Sequence, residues 1–301
     1  MVIPSSGFEL NGSGRIIVGS RFTFTLIALF LLTIVIYGNS LSGAWLFDDE
    51  PNIVNNQFVH LKSLDCESIH KTFYGFKQNK ISRPLSYLSF GLNYFFNGLD
   101  PFGYHVVNLI IHYLTSVFLF LFVLRTLHLP RLEAQYGRSS YQIALLTAFL
   151  WAVNPIQVTA VTYIVQRMAS MAGLFYILSM YLYLLGRTSN IHGKKVLFVL
   201  LCAVSAVLAF STKENAFMIP VCIYLYDLLL VQNFTRDILI KNLKYIILPA
   251  IVVVSFCFVF FFDIPSIIDG YTIRPFTLAE RLLTESRVIL FYISLLLYPS
   301  Y

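Results

Sequence analysis

The sequence predicts an all-α integral membrane protein, a bundle of seven or eight transmembrane helices, on three observations. Hydrophobic residues fill 57% of its 301 positions and charged residues only 12%, against roughly 25% charged in a soluble domain. Several charge-free runs reach the length needed to cross a hydrocarbon core, about 20 helical residues. Lys and Arg gather in alternate short connections between those runs, the asymmetry that orients a multispanning chain.

In chain order the runs are Phe22 to Phe47, Pro101 to Leu124, Ser139 to Gln166, Met168 to Gly186, Val196 to Thr212 and Tyr245 to Phe262. Asn215 to Gln232, interrupted by Asp227, and Val288 to Tyr301 are weaker spans. The first run follows Arg15 and Arg21 and ends among small residues, Gly38 to Ser42, as a secretion signal does. Its length and the later spans make it an uncleaved anchor. Residues 1–301 form a single membrane domain without tandem repeats.

The basic connections are Arg15 and Arg21, then Arg125, Arg131 and Arg138, then Arg187, Lys194 and Lys195, then Arg236, Lys241 and Lys244. The positive-inside bias places them, and the amino terminus, in the cytoplasm. Eleven of the fifteen acidic residues then fall on the other side, so functional polarity is extracytoplasmic. The net charge of +6 forms no basic stripe, which argues against nucleic acid. Cys202, Cys222 and Cys257 sit inside apolar runs and Cys66 stands alone in a loop, giving neither a disulfide framework nor a metal motif.

One long connection, residues 41–103, follows the first span and is rich in aromatic and apolar residues. Ser63 reads as an N-cap with Asp65 and Glu67 in the first turn, and Leu64, Ile69, Phe73 and Phe76 give a rough apolar face. This predicts an interfacial helix lying on the membrane. Ser82-Arg83-Pro84 opens a second helix, since Pro suits a first turn, and Asn97-Gly98 closes it.

The chemistry is expected at Phe47-Asp48-Asp49-Glu50-Pro51, where three carboxylates crowd the exit of the first span. Self-repulsion and desolvation make such a cluster costly, and Asp48 or Asp49 is suited to take a proton from an incoming hydroxyl while its neighbours orient it. The alternative is a solvated loop start, extended by Pro51. Arg83, Arg167 and Lys213 each stand at the outer end of an apolar stretch, where a phosphate or carboxylate partner is expected. Pairing within the chain is the competing explanation, Lys213 with Glu214 or Arg167 with a loop acid.

Gln157, Tyr163, Gln166, Arg167 and Ser170 make a polar stripe that either lines a substrate groove or glues the bundle. His105 and His112, seven residues apart, face the same way two turns on. With no third ligand evident they suit polar packing or substrate contact better than zinc. No phosphate-cradling Gly-rich loop, Gly-x-Ser-x-Gly elbow or Cys/His dyad is present.

Phe47-Asp48-Asp49-Glu50 with Ile53-Val54-Asn55-Asn56, then Arg83-Pro84-Leu85, then Asp100-Pro101-Phe102-Gly103-Tyr104-His105-Val106-Val107-Asn108 with His112, resembles the membrane part of the transmembrane and tetratricopeptide-repeat O-mannosyltransferases. The resemblance continues through Asn154-Pro155-Ile156-Gln157, Tyr163 to Arg167, Lys213-Glu214 and Tyr226-Asp227, in order across nearly the whole chain. It implies a type C glycosyltransferase, a membrane enzyme whose donor is a sugar on a polyprenyl or dolichyl monophosphate and whose acceptor is a Ser or Thr hydroxyl of a protein. The acid pair after the first span is catalytic in that family, which carries over to Asp48 and Asp49.

On this basis Arg83, Arg167 and Lys213 are expected to hold the donor phosphate, and Glu50, His105, Gln166 and Glu214 to contact substrate, with inversion at the anomeric carbon and no metal or cofactor. Membrane lipids and a partner subunit or second copy are further expected partners, in a bacterial inner membrane or the endoplasmic reticulum. A rival from another class is a non-catalytic subunit or lipid-linked sugar carrier with the same fold. Three departures stand out: Asn154 replaces the family's usual His before Pro, the tetratricopeptide repeats are missing, and the chain stops at Pro299-Ser300-Tyr301 where relatives continue. The last implies a truncated or split form, or a substrate-recognition half.

Overall fold

A computed structural model describes residues 8–10, 16–75, 81–232, 234–244, 271 and 274–298. It divides into two compact units, Met1–Tyr224 and Leu225–Tyr301. The first begins with a short antiparallel pair, β1 (Phe8–Leu10) and β2 (Ile16–Val18). Its helices are α1 (Ser20–Tyr37), α2 (Cys66–Thr72), α3 (Pro84–Asn97), α4 (Pro101–Leu127), α5 (Pro130–Tyr136), α6 (Ser140–Val153), α7 (Val158–Thr162), α8 (Arg167–Thr188) and α9 (His192–Phe210). Helix α10 (Ile219–Tyr226) follows them.

Among the described residues five helices are long and apolar enough to cross a membrane, or six if a bent pair is one span. Of the seven or eight expected runs, Tyr245 to Phe262 lies outside the described residues. The run from Ser139 to Gln166 is not one helix: it bends by 53° between Val153 and Pro155. Pro155 offers no N–H and disfavours a helical Asn154, and the Asn154 side chain accepts the Ile156 N–H at 3.0 Å. The Asn that departs from the family pattern is thus a turn cap.

Helix α4 is central, packing against α1, α6 and α8. Asp100 caps it by accepting the Phe102 N–H, with Pro101 in its first turn. Leu29 of α1, Val117 and Phe120 of α4, and Ala144 and Ala148 of α6 form one buried cluster. The alanines let α6 approach closely, as small residues do between helices in lipid. A second cluster, Ile53, Val59, Tyr87, Phe90, Tyr104, Ile164, Val165 and Met168, lies beneath the long connection and pins it to the start of α8.

Within that connection α3 starts and stops as the sequence predicts, at Pro84 and before Gly98 with φ 57°. The first predicted helix is a shorter α2 whose cap is Asp65, accepting the Ser68 N–H, and not Ser63. Ser63 is instead a hydrogen-bond donor to Asp65, so the acid takes the capping position and the hydroxyl supports it. Phe76, assigned to its apolar face, lies outside the described residues.

The second unit contains a π-helical turn, Asp227–Val231, then α11 (Arg236–Asn242) and α12 (Leu278–Leu297). The last helix starts ten residues before the apolar run at Val288, because Thr277 and Glu280 form a reciprocal capping box.

Candidate functional site

The segment from Tyr163 to Met168, joining α7 to α8, is the spine of the site. Tyr163 accepts the Asp48 backbone N–H on its hydroxyl at 2.7 Å. Two residues on, the Val165 N–H donates to Asp49 Oδ1 at 2.7 Å. Gln166 Oε1 then meets Lys213 Nζ at 3.5 Å, and Met168 Sδ lies 3.3 Å from an Arg83 nitrogen. Asp48, Asp49, Lys213 and Arg83 therefore all contact one six-residue stretch that itself carries the third expected cation, Arg167.

The three acids differ in environment. Asp49 is fully buried and its second oxygen accepts the Leu46 N–H at 3.0 Å, so it clasps the loop to the spine. Burial raises its pKa from the ordinary carboxylate value, against the opposing pull of the Leu46 and Val165 amides. Asp48 is exposed, held by its backbone with its carboxylate outward. Glu50 is also exposed and receives Asn55 Nδ2 at 3.1 Å.

Asp48 follows Phe47, whose φ is 35°, and Arg83 itself has φ 48°. Among the described residues these are the two non-glycine positions in the left-handed region, a conformation that costs on the order of 1 to 3 kcal/mol and concentrates at functional sites. Both fall here. Phe47 is also 86% exposed, an aromatic ring presented beside the outward carboxylate.

Arg83 pairs with Glu214, Nε to Oε1 at 2.9 Å and a second nitrogen to Oε2 at 2.8 Å. That is the two-pronged geometry guanidinium makes with carboxylate. Glu214 thus pairs across the fold with Arg83 and not with adjacent Lys213, whose amine is left to Gln166. Burial lowers the Lys213 pKa, and the nearby Arg83 charge adds to the effect. Ser86 Oγ donates to the Thr212 carbonyl at 3.1 Å and the Leu85 N–H to the Ser211 carbonyl at 3.1 Å, fixing α3 against the Ser211–Glu214 turn.

Arg167 is placed differently from its expected phosphate role. It is fully buried, with Nε on Asn108 Oδ1 at 2.7 Å, other nitrogens on Asn93 Oδ1 at 2.5 Å and on the Tyr104 carbonyl at 2.8 Å, and its guanidinium over the Phe90 ring at 4.9 Å. With its donors taken by the protein, it braces α3, α4 and α8, and no phosphate reaches it in this arrangement. Asn93 is the partner the sequence does not single out; an amide between the apolar residues Leu92 and Tyr94 is the signal that marks it.

His105 is buried on α4 with neither ring nitrogen in a well-formed hydrogen bond. A Cβ at Gly43 would fall 2.8 Å from its Nε2, so glycine is required where the loop crosses the imidazole. His112, a packing residue, holds the Ala152 carbonyl at 3.0 Å and stacks on Trp151. Among the described residues no three His, Cys, Asp or Glu gather as a metal site.

The chain is 30% identical over 215 residues to human protein O-mannosyl-transferase TMTC4, covering 67% of this chain and 29% of that protein. It is 31% identical over 206 residues to the Caenorhabditis elegans protein O-mannosyl-transferase F38B6.6, covering 66% and 27%, and 30% identical over 211 residues to mouse TMTC3, covering 67% and 21%. No protein-family model and no solved structure matches it. The chain thus spans less than a third of the length of these relatives, and over about two thirds of its own length it is similar to protein O-mannosyl-transferases, TMTC4 and TMTC3 among them.

Proposed function

We propose that this chain transfers a hexose, mannose by analogy with its relatives, from a polyprenyl or dolichyl monophosphate to a Ser or Thr hydroxyl of a protein at the extracytoplasmic membrane face. Asp48 is the general base in this proposal. The observation that carries it is the division of labour within the acid pair: Asp49 is consumed by two backbone amides, while Asp48 is exposed and tied by its backbone to the same spine that contacts Lys213 and Arg83.

The acceptor hydroxyl gives its proton to Asp48 and its oxygen forms a bond to the anomeric carbon. The bond from that carbon to the phosphate oxygen breaks with its electron pair, and polyprenyl phosphate departs. Attack opposite the leaving group inverts the centre. The leaving oxygen gains negative charge, which cations fixed beforehand stabilise without reorganising. Lys213 is the better placed, since Glu214 already neutralises Arg83. Glu214 and Gln166 then act by holding those cations, Glu50 borders the acceptor side, and His105 supports the loop from beneath.

Reconstituted chain, given radiolabelled polyprenyl-phosphate hexose and a Thr-containing peptide, is expected to label the peptide, and Asp48→Asn to abolish labelling without changing thermal stability. Donor binding without transfer, equal for chain and variant, overturns the proposal in favour of a non-catalytic subunit.

A further inference from the structure

The long connection carries a second concavity, away from the spine. Its walls include Gln57, Phe58, His60, Lys62 and Lys71, and it encloses about 300 Å³, the lower end of the range for ligand sites. The walls are stiff. His60 stacks flat on Tyr94, centroids 4.3 Å apart at 6°, and its Nε2 contacts the Ile53 carbonyl at 3.1 Å. Ile53 belongs to the helical turn Glu50–Val54 that continues directly from Asp48 and Asp49, so the concavity is mechanically joined to the acid triplet.

The charged side chains that line it are two lysines, with Asp65 bonded to its wall residue Ser68. Lys71 pairs with Glu67 at 2.8 Å, whereas Lys62 has no ion pair among the described residues. Lys62 is thus the wall cation open to an incoming carboxylate, while Asp48 and Glu50 stand exposed at the start of the turn to which His60 is bonded. A carboxylate on a bound polypeptide is attracted to Lys62 and repelled by Asp48 and Glu50. Phe58 and the His60 ring add an apolar floor, and Gln57 an amide for a peptide backbone.

We propose that this concavity is an acceptor subsite that takes an acidic residue, Asp or Glu, of the protein substrate and so sets which nearby hydroxyl meets Asp48. The inference rests on the transferase proposal for the identity of the occupant, but its test needs no turnover. Fluorescent peptides bearing one Thr and a Glu moved stepwise away from it are titrated against the intact chain in neutral lipid nanodiscs, alongside Gln and Lys counterparts. The Glu peptide is expected to bind most tightly at one spacing. Lys62→Glu weakens it about fivefold and strengthens the Lys peptide. Asp48→Asn leaves the spacing preference in place even as transfer is lost.

Equal binding of Glu and Gln peptides, no response to Lys62→Glu, or competition by anionic lipid vesicles with no peptide discrimination would each overturn the subsite. Selective binding with no transfer by the unsubstituted chain would retain the subsite and sink the transferase proposal instead.

Discussion

Asp49 accepts the backbone N–H of Val165, 116 positions away in sequence, at 2.7 Å, and this single clasp sets the acid-bearing loop on the start of α8. Because Asp49 also takes the Leu46 amide, its neighbour Asp48 is turned outward. The two aspartates are therefore expected to separate by experiment. Asp48→Asn removes transfer with unchanged melting temperature. Asp49→Asn leaves one of two buried amides without an acceptor and lowers stability by about 1 to 3 kcal/mol. Thermal unfolding beside transfer assays reads both, and equal stability loss in the two variants contradicts the assignment.

The sign of the pH dependence follows from the same burial. Asp49 has a raised pKa in the folded chain, so the native state holds its proton more tightly than the unfolded state. Its contribution is fully present below the ordinary value of 3.8 and is lost as pH rises through the folded value. Asp49→Asn is expected to remove that downward slope. Melting temperatures of both proteins across mildly acidic pH check this, and parallel profiles exclude it.

At the other side of the spine, the Arg83–Glu214 pair is substantially exposed, so its net stabilisation is small, up to about 1 kcal/mol. Its value is positional. Glu214→Gln is expected to change stability little while freeing Arg83, tightening binding of a phosphate-bearing donor severalfold. Arg83→Gln weakens it. Titration with polyprenyl phosphate distinguishes these outcomes, and weaker binding by Glu214→Gln would show that the carboxylate itself contacts the donor.

Gly43 tests the loop from below. A methyl there meets His105 Nε2 at 2.8 Å and the Ser40 carbonyl at 2.9 Å, both too close, so Gly43→Ala is expected to cost about 1 to 3 kcal/mol. Adding His105→Ala removes the first clash and not the second, so it relieves the damage only in part. A double-mutant cycle on thermal stability reads the coupling, and strict additivity would mean the imidazole yields freely.

Much of this architecture is legible in residue types that act locally. Pro84 and Gly98 bound α3 wherever the rest of the chain goes, and the apolar runs beginning at Phe22, Pro101, Met168, Val196 and Asn215 each coincide with a helix long and apolar enough to cross a membrane. What escapes depends on pairing at a distance. Asp49 and Asp48 are identical letters, and only the position of Val165 makes one a clasp. Asn154 reads as an absent His until its cap on Ile156 is seen, and Thr277 with Glu280 extends α12 into a charged stretch that hydropathy excludes. Arg167 at the edge of an apolar run signals that a partner exists, but its partners are two side-chain amides and two backbone carbonyls, none of them charged.

Arg167 gives the sharpest test of structural against substrate-binding roles. Its fork serves Asn108, Asn93 and the Tyr104 carbonyl in different directions, and its plane lies over Phe90 and Tyr104. Lysine keeps the charge but not the fork or the stacking. If Arg167 held the donor phosphate, Arg167→Lys would keep the fold and weaken donor binding. With the side chain buried instead, the substitution strands Asn93 or Asn108 and leaves a buried ammonium short of acceptors, a loss of about 3 to 5 kcal/mol. Arg167→Lys is therefore expected to fall in yield and melting temperature together. A well-folded Arg167→Lys protein defective only in donor affinity would return this residue to the phosphate site.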